Sequence, residues 1–182
     1  SDLLFLNDGT GRFTESPQPA LRTGRGATSL ALADVDGDGD LDLYVANYRT
    51  NTIRSTGLSI LNVDGRRFIR PEDRDQYEFT PEGLVLEHGD VDVLALNDGR
   101  GNFQAVPWNR GVFLDEDGHP LAAGPKDWGL SCHFRDLDRD GRPDLYVCND
   151  FWSVDRLWLN RSSNGVVRFQ AAPRLMLRQT ST

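Results

Sequence analysis

Short apolar runs alternate along the chain with polar punctuation rich in glycine. Leu4-Phe5-Leu6, Leu94-Ala95-Leu96 and Leu157-Trp158-Leu159 each precede an Asn-led turn, and a segment carrying Phe13, Phe103 or Phe169 follows. Ser29-Leu30-Ala31-Leu32 enters a strongly polar loop, and Leu41-Asp42-Leu43-Tyr44-Val45 leaves it in the alternating pattern of a strand. Asn-Asp-Gly marks a hairpin, because Asn and Gly tolerate the positive φ that tight turns require. No stretch of about ten residues carries a 3.6-residue period. The pattern predicts an all-β chain.

Self-comparison shows that these elements repeat. Asn7-Asp8-Gly9-Thr10-Gly11-Arg12-Phe13 returns as Asn97-Asp98-Gly99-Arg100-Gly101-Asn102-Phe103, identical at five of seven positions, and more loosely from Asn160 to Phe169. Asp34 to Asn47 returns as Asp136 to Asn149, identical at nine of fourteen. The two blocks alternate, so each unit reads as four antiparallel strands: strand, acidic loop, strand, connection, strand, Asn turn, strand. Tandem four-stranded units point to blades of a β-propeller. On that division 1–17 is the outer hairpin of a first blade and 27–107 a second blade with an insertion at about 50–90. Residues 129–173 form a third blade, and 174–182 lead into a next, absent one. The insertion offers a hairpin turning at Asp64-Gly65 and a second at Pro81-Glu82-Gly83. Another insertion, about 108–126, contains Asp115-Glu116-Asp117-Gly118, which reads as a turn more readily than as a metal site.

At 182 residues with 38% hydrophobic content the chain can bury a core. No apolar run reaches the roughly 20 residues of a bilayer-spanning helix, so no membrane span is expected. A net charge of −8 argues against nucleic acid, whose phosphates demand a basic face. The opening Ser1-Asp2-Leu3-Leu4-Phe5-Leu6 lacks the basic and long apolar regions of a signal peptide, as expected of a mature or excised fragment. Cys132 and Cys148 lack zinc-site spacing and lie equidistant from Asp140, so a hairpin there would bring them roughly opposite each other. Both a cross-strand disulfide and a pair of small buried thiols fit, the thiols better.

Charge position matters more than charge total. Nine of the 28 acids lie in two nine-residue stretches, which place Asp34, Asp36, Asp38 and Asp42, and again Asp136, Asp138, Asp140 and Asp144, at loop positions 1, 3, 5 and 9. Position 6 is glycine in both, Gly39 and Gly141, as a sharp reversal requires. Calcium takes six to eight hard oxygen ligands at about 2.3–2.6 Å, and alternate residues of a curled loop can supply them. Position 7 would contribute a backbone carbonyl, which explains why Asp40 in one copy can be Arg142 in the other. Valines at position 12, Val45 and Val147, and flanking strands exclude an EF-hand. Magnesium prefers octahedral, partly hydrated sites, and no Cys or His joins the clusters to suit zinc.

D-x-D-x-D-G-x-x-D followed by Leu-Tyr-Val and Asn resembles the FG-GAP/VCBS repeats, the calcium-binding blades of integrin α-subunit propellers and of many bacterial secreted proteins. The wording from Asp144 to Phe151 and from Asp155 to Asn160 is most similar to the cartilage-acidic-protein-like (ASPIC/UnbV-associated) branch. The resemblance covers 1–50 and 92–173 and implies a seven-bladed propeller in a secreted or surface protein, used for adhesion or for protein and carbohydrate recognition. About two and a half blades are present, so open blade faces and self-association are expected. The leading expectation is a non-enzymatic module stabilised by two Ca²⁺ ions. The alternative is a fragment of a propeller-type polysaccharide lyase or hydrolase, although no nucleophile motif is present and His88, His119 and His133 are scattered. Tyr77, Phe79 and Arg66-Arg67 in the insertion offer a partner surface or a merely solvated one. The four tryptophans could line a sugar site but more ordinarily pack between blades.

Overall fold

The computed structural model describes residues 3–18, 21–22, 24–150 and 153–173; the segment 174–182 lies outside them. Its strands are β1 (Leu4–Asn7), β2 (Phe13–Ser16), β3 (Ala27–Ala33), β4 (Asp42–Asn47), β5 (Ile60–Val63), β6 (Arg66–Ile69), β7 (Tyr77–Phe79) and β8 (Val85–Glu87). After these come β9 (Val93–Asn97), β10 (Phe103–Ala105), β11 (Phe113–Leu114), β12 (Gly129–Arg135), β13 (Asp144–Asn149), β14 (Arg156–Asn160) and β15 (Phe169–Ala171). Helix is slight: among the described residues it includes one turn, α1 (Ile53–Thr56), and the 3-10 turns Pro71–Asp73 and Trp108–Arg110. The chain is all-β, a partial propeller-like stack of antiparallel sheets.

Two sheets carry the architecture. The first is four-stranded in the order β10-β9-β4-β3, and the second is five-stranded in the order β11-β15-β14-β13-β12. In each, an acidic loop closes the first hairpin, with Ala33 paired to Asp42 and Arg135 to Asp144. Strand alternation sends Leu43 and Val45 to one face of β4 and Tyr44 and Ala46 to the other. All four are buried because both faces of β4 are covered. Leu43 and Val45 pack with Leu21, Val93 and Ala95. Tyr44, Ala46 and Leu94 meet Cys132, Leu145, Val147, Trp158 and Phe169 of the second sheet. The sheets come closest along β3 and β12, where the Thr28 hydroxyl donates to the Gly129 carbonyl (2.8 Å) and the Cys132 N–H to the Ser29 hydroxyl (3.2 Å).

The segment at 108–126 does more than connect. Trp108 and Phe113 enter the core between the sheets, their rings stacked at 3.9 Å, and Phe113 also stacks on Phe169 at 5.5 Å. Phe113–Leu114 pairs in parallel with β15, so the second sheet has a fifth strand that a four-strand repeat does not anticipate. A two-residue strand carries no periodic signal, and its partner lies more than fifty residues away in sequence.

In the insertion, β5 and β6 pair across the Asp64-Gly65 turn and β7 and β8 across residues 80–84. Arg49, buried just beyond the end of β4, ties this insertion down. Its guanidinium donates to Glu87 Oε1 (2.9 Å), the His88 carbonyl (2.9 Å) and Gln76 Oε1 (2.8 Å), and lies over the Tyr77 ring at 4.7 Å.

Both cysteines are free thiols. The register pairs Cys132 with Val147 and Ser131 with Cys148, so the symmetry about Asp140 is off by one residue. A one-residue offset puts the thiols on opposite faces of the sheet. His133 is exposed.

Phe113 is fully buried among three aromatic rings. Phe113→Ala should cost about 3–5 kcal/mol of stability in urea unfolding; a loss below about 1 kcal/mol would show that the 108–126 segment is dispensable to the core.

Candidate metal centres at the two acidic loops

Each loop is wound by its own carboxylates. Asp34 Oδ1 accepts the N–H groups of Gly37 (2.7 Å) and Asp38 (3.2 Å), and its Oδ2 accepts that of Gly39 (3.0 Å). In the second loop Asp136 Oδ1 accepts the N–H of Asp140 (3.1 Å) and its Oδ2 that of Gly141 (3.0 Å). Position 6 takes a positive φ in both, 95° at Gly39 and 87° at Gly141. Position 4 needs one too: Gly37 at 82° supplies it freely, whereas the second loop holds Arg139 at 65°, a conformation costly for a residue with a Cβ.

Position 9 anchors the loop to the sheet. Asp42 Oδ2 accepts the Val35 N–H (3.0 Å), while its Oδ1 accepts the N–H of Asn97 (2.9 Å) at the end of β9. Asp144 does the same with Leu137 (2.8 Å) and with Asn160 (2.8 Å) at the end of β14. The asparagines answer in kind: Asn97 Nδ2 donates to the Leu41 carbonyl (3.2 Å), and Asn160 Nδ2 to those of Pro143 (3.1 Å) and Val35 (3.0 Å). The last of these bonds joins the Asn160 turn of the second unit to the first acidic loop.

Oxygen atoms of Asp34, Asp36 and Asp42 lie within 4.8 Å of one another, and so do those of Asp136, Asp138 and Asp144. Two ligands of one calcium ion at about 2.3–2.6 Å can be no farther apart than about 5 Å, so both trios suit a single ion. Every donor is a carboxylate oxygen, the hard type that calcium prefers, and each carboxylate keeps lone pairs beyond those its N–H partners use. Asp38 and Asp140 at position 5 stand outside the trios; Asp38 Oδ1 accepts the Asp40 N–H (2.9 Å) and Asp140 Oδ1 that of Arg142 (3.0 Å).

The loops differ in charge compensation. Burial first, then the like charges of Asp38 and Asp34, raises the pKa of Asp36 despite an N–H bond from Asp38. Burial likewise raises that of Asp42. Asp138, equivalent to Asp36, is instead lowered, mainly by its hydrogen bond from Arg161. Arg142 and Arg161 both pair with Asp140.

The family model described as FG-GAP-like repeat matches residues 1–45 and 87–147. The chain belongs to this FG-GAP-like repeat family. No curated protein matches it. The matched stretches hold both acidic loops and omit most of the insertion, as the internal repeat does.

A second set of residues recurs in the two FG-GAP-like units at the opposite end of β4 and β13. Tyr44 Oη donates to Asp92 Oδ2 (2.8 Å) and the Asn47 N–H to Asp92 Oδ1 (2.7 Å). Tyr146 and Asn149 repeat this on Asp155, both at 2.8 Å. Sequence reasoning paired the tyrosines but missed the aspartates, although each stands five residues before its turn asparagine in an Asp-x-Leu-x-Leu-Asn string. The exposed turn at Asp115 also groups carboxylates of Asp115 and Asp117 with His119. Asp115 Oδ1 accepts the N–H groups of Asp117 (3.0 Å) and His119 (2.8 Å), as a turn-forming aspartate does.

Burial pushes the Asp92 carboxyl up to about 7, against the pull of its Asn47 and Tyr44 donors. The folded state therefore holds this proton more tightly than the unfolded chain, and the stability it supplies at acid pH is lost as pH rises from about 4 to about 7. Asp92→Asn keeps an acceptor for Asn47 and an amide for Tyr44. Urea midpoints measured from pH 4 to 7.5 should fall less steeply in this variant than in the parent; parallel profiles would remove Asp92 as the titrating group.

Proposed function

We propose that this chain is a non-enzymatic, calcium-stabilised module of a secreted or surface protein, serving protein or carbohydrate recognition or adhesion. We assign it to the cartilage-acidic-protein-like branch of its family. The observation that carries the calcium reading is the recurrence of one oxygen trio at two repeat-related hairpin bends. Asp34, Asp36 and Asp42 would hold one ion and Asp136, Asp138 and Asp144 the other. Asp38 and Asp140, and the carbonyls of Asp40 and Arg142, are the next donors in register. The ion supplies charge neutralisation and no reaction chemistry: two would change the formal charge from −8 to −4. Bound only to the folded form, each adds about 2.7 kcal/mol at a hundred times Kd. Extracellular calcium modules bind at roughly 10⁻⁴–10⁻³ M, which suits constitutive occupancy. The buried titrating group does not favour catalysis, since Asp92 has a repeat counterpart in Asp155 and both brace a tyrosine and an asparagine.

EDTA should lower the melting temperature by several degrees relative to millimolar calcium, and Asp36→Ala should shrink that gap. A melting temperature indifferent to both would refute the calcium role.

Self-association belongs to the same proposal. Leu30 and Leu32 are 57% and 54% exposed on β3, and Leu130 is 46% exposed on β12. Such apolar strand surface seeks cover. Sedimentation equilibrium should give a mass that rises above 20.4 kDa with concentration, and the pair Leu30→Glu, Leu32→Glu should suppress the rise. A constant monomer mass at high concentration would sink this part of the proposal.

A further inference from the structure

The two units share the aspartates at loop positions 1, 3, 5 and 9 but differ in the sign of two nearby charges. Loop position 7 is Asp40 in the first unit and Arg142 in the second. The residue after the turn asparagine is Asp98 in the first and Arg161 in the second. These positions are neighbours in space. In the first unit the Asp40 carboxylate lies so close to Gly99 that a Cβ there would sit 2.4 Å from its Oδ2. In the second, Arg161 Nη1 bridges Asp138 Oδ2 (2.7 Å) and Asp140 Oδ2 (3.0 Å). Arg142 pairs with Asp140 while its Nε donates to the Asn160 carbonyl (3.0 Å). Among the described residues, no Lys or Arg forms an ion pair with an acid of the first loop.

We propose that the second acidic loop carries its own cation: Arg161, seated across Asp138 and Asp140 with Arg142 beside it, closes that bend, and a divalent ion binds there far more weakly than in the first loop. The inference rests on the calcium reading and divides its two sites into an open one and a latched one. The physical argument is competition. Calcium needs an oxygen of the Asp138 carboxylate, which the guanidinium holds and whose charge it offsets, and calcium affinity is tuned by the net charge of the ligand set. To bind, the ion must displace a charge-assisted bridge whose donors match carboxylates in geometry. In the first loop there is no such bridge, and Asp40 and Asp98 add negative charge nearby.

Calorimetric calcium titration of the full chain tests this with one loop disabled at a time. Asp138→Ala, which leaves the first loop, should retain the tighter site; Asp36→Ala, which leaves the second, should retain a site about tenfold weaker or more. Adding Arg161→Gln to Asp36→Ala should tighten the remaining site by about tenfold. In EDTA, Arg161→Gln should melt lower than the parent, and calcium should close the gap. Because Arg161→Gln removes a fold contact, Asp98→Arg serves as the converse on an exposed turn: added to Asp138→Ala, it should weaken the first loop by a similar factor. Equal affinities for the two loops, or an Arg161→Gln effect within about twofold, would overturn the latch while leaving the calcium reading intact. No calcium binding by Asp138→Ala would instead overturn the calcium reading and the latch with it.

Discussion

The structure depends on a carboxylate buried where each acidic loop rejoins its sheet. Asp42 and Asp144 are almost wholly removed from solvent, yet every observed bond to them comes from a backbone N–H. One oxygen holds the start of the loop and the other holds the end of the adjacent strand, so a single side chain sets the bend and the register of the unit's third strand. Burying a carboxylate without such donors would cost several kcal/mol. Because the donors belong to the backbone, the requirement falls on the fold rather than on neighbouring side chains. That is why the same arrangement survives in two units that otherwise differ in charge.

Around this anchor the remaining acids face a conflict that the two units resolve differently. Carboxylates at positions 1 and 3 converge on the position 9 oxygen, and like charges so close repel unless a cation intervenes. In the second unit arginines from the loop and from the adjacent turn lie against Asp138 and Asp140. In the first unit the equivalent positions are acidic, Asp40 and Asp98, and among the described residues no arginine or lysine pairs with that loop. One local fold thus supports two electrostatic solutions.

The opposite ends of the strands are held by a different polar device, the tyrosine and asparagine braced on Asp92 or Asp155, and the space between is closed by aromatic packing. Trp108 and Phe113 fill the gap between the sheets, and Arg49 fastens the insertion to the end of β4. The acidic loops and the insertion consequently occupy opposite ends of the first sheet. An ion held as proposed would act on hairpin geometry at one end without touching the surface the insertion presents at the other.

By itself the sequence determined the all-β class, the strand order within each repeat, the turns at Asn7, Asn97 and Asp64-Gly65, and the aspartates that converge at each bend. These are local matters: alternation, positive φ and the spacing of acids are written within a dozen residues of where they act. Tertiary structure alone decided that Phe113–Leu114 joins β15 and that the two thiols miss each other by one position. It alone placed Asp92 and Asp155 under the tyrosines and brought Arg161 onto a loop some twenty residues earlier in the chain. Each of these is a meeting of distant segments, set by packing and register rather than by the preferences of neighbours in sequence, and a charge partner reached across a sheet leaves no periodic trace along the chain.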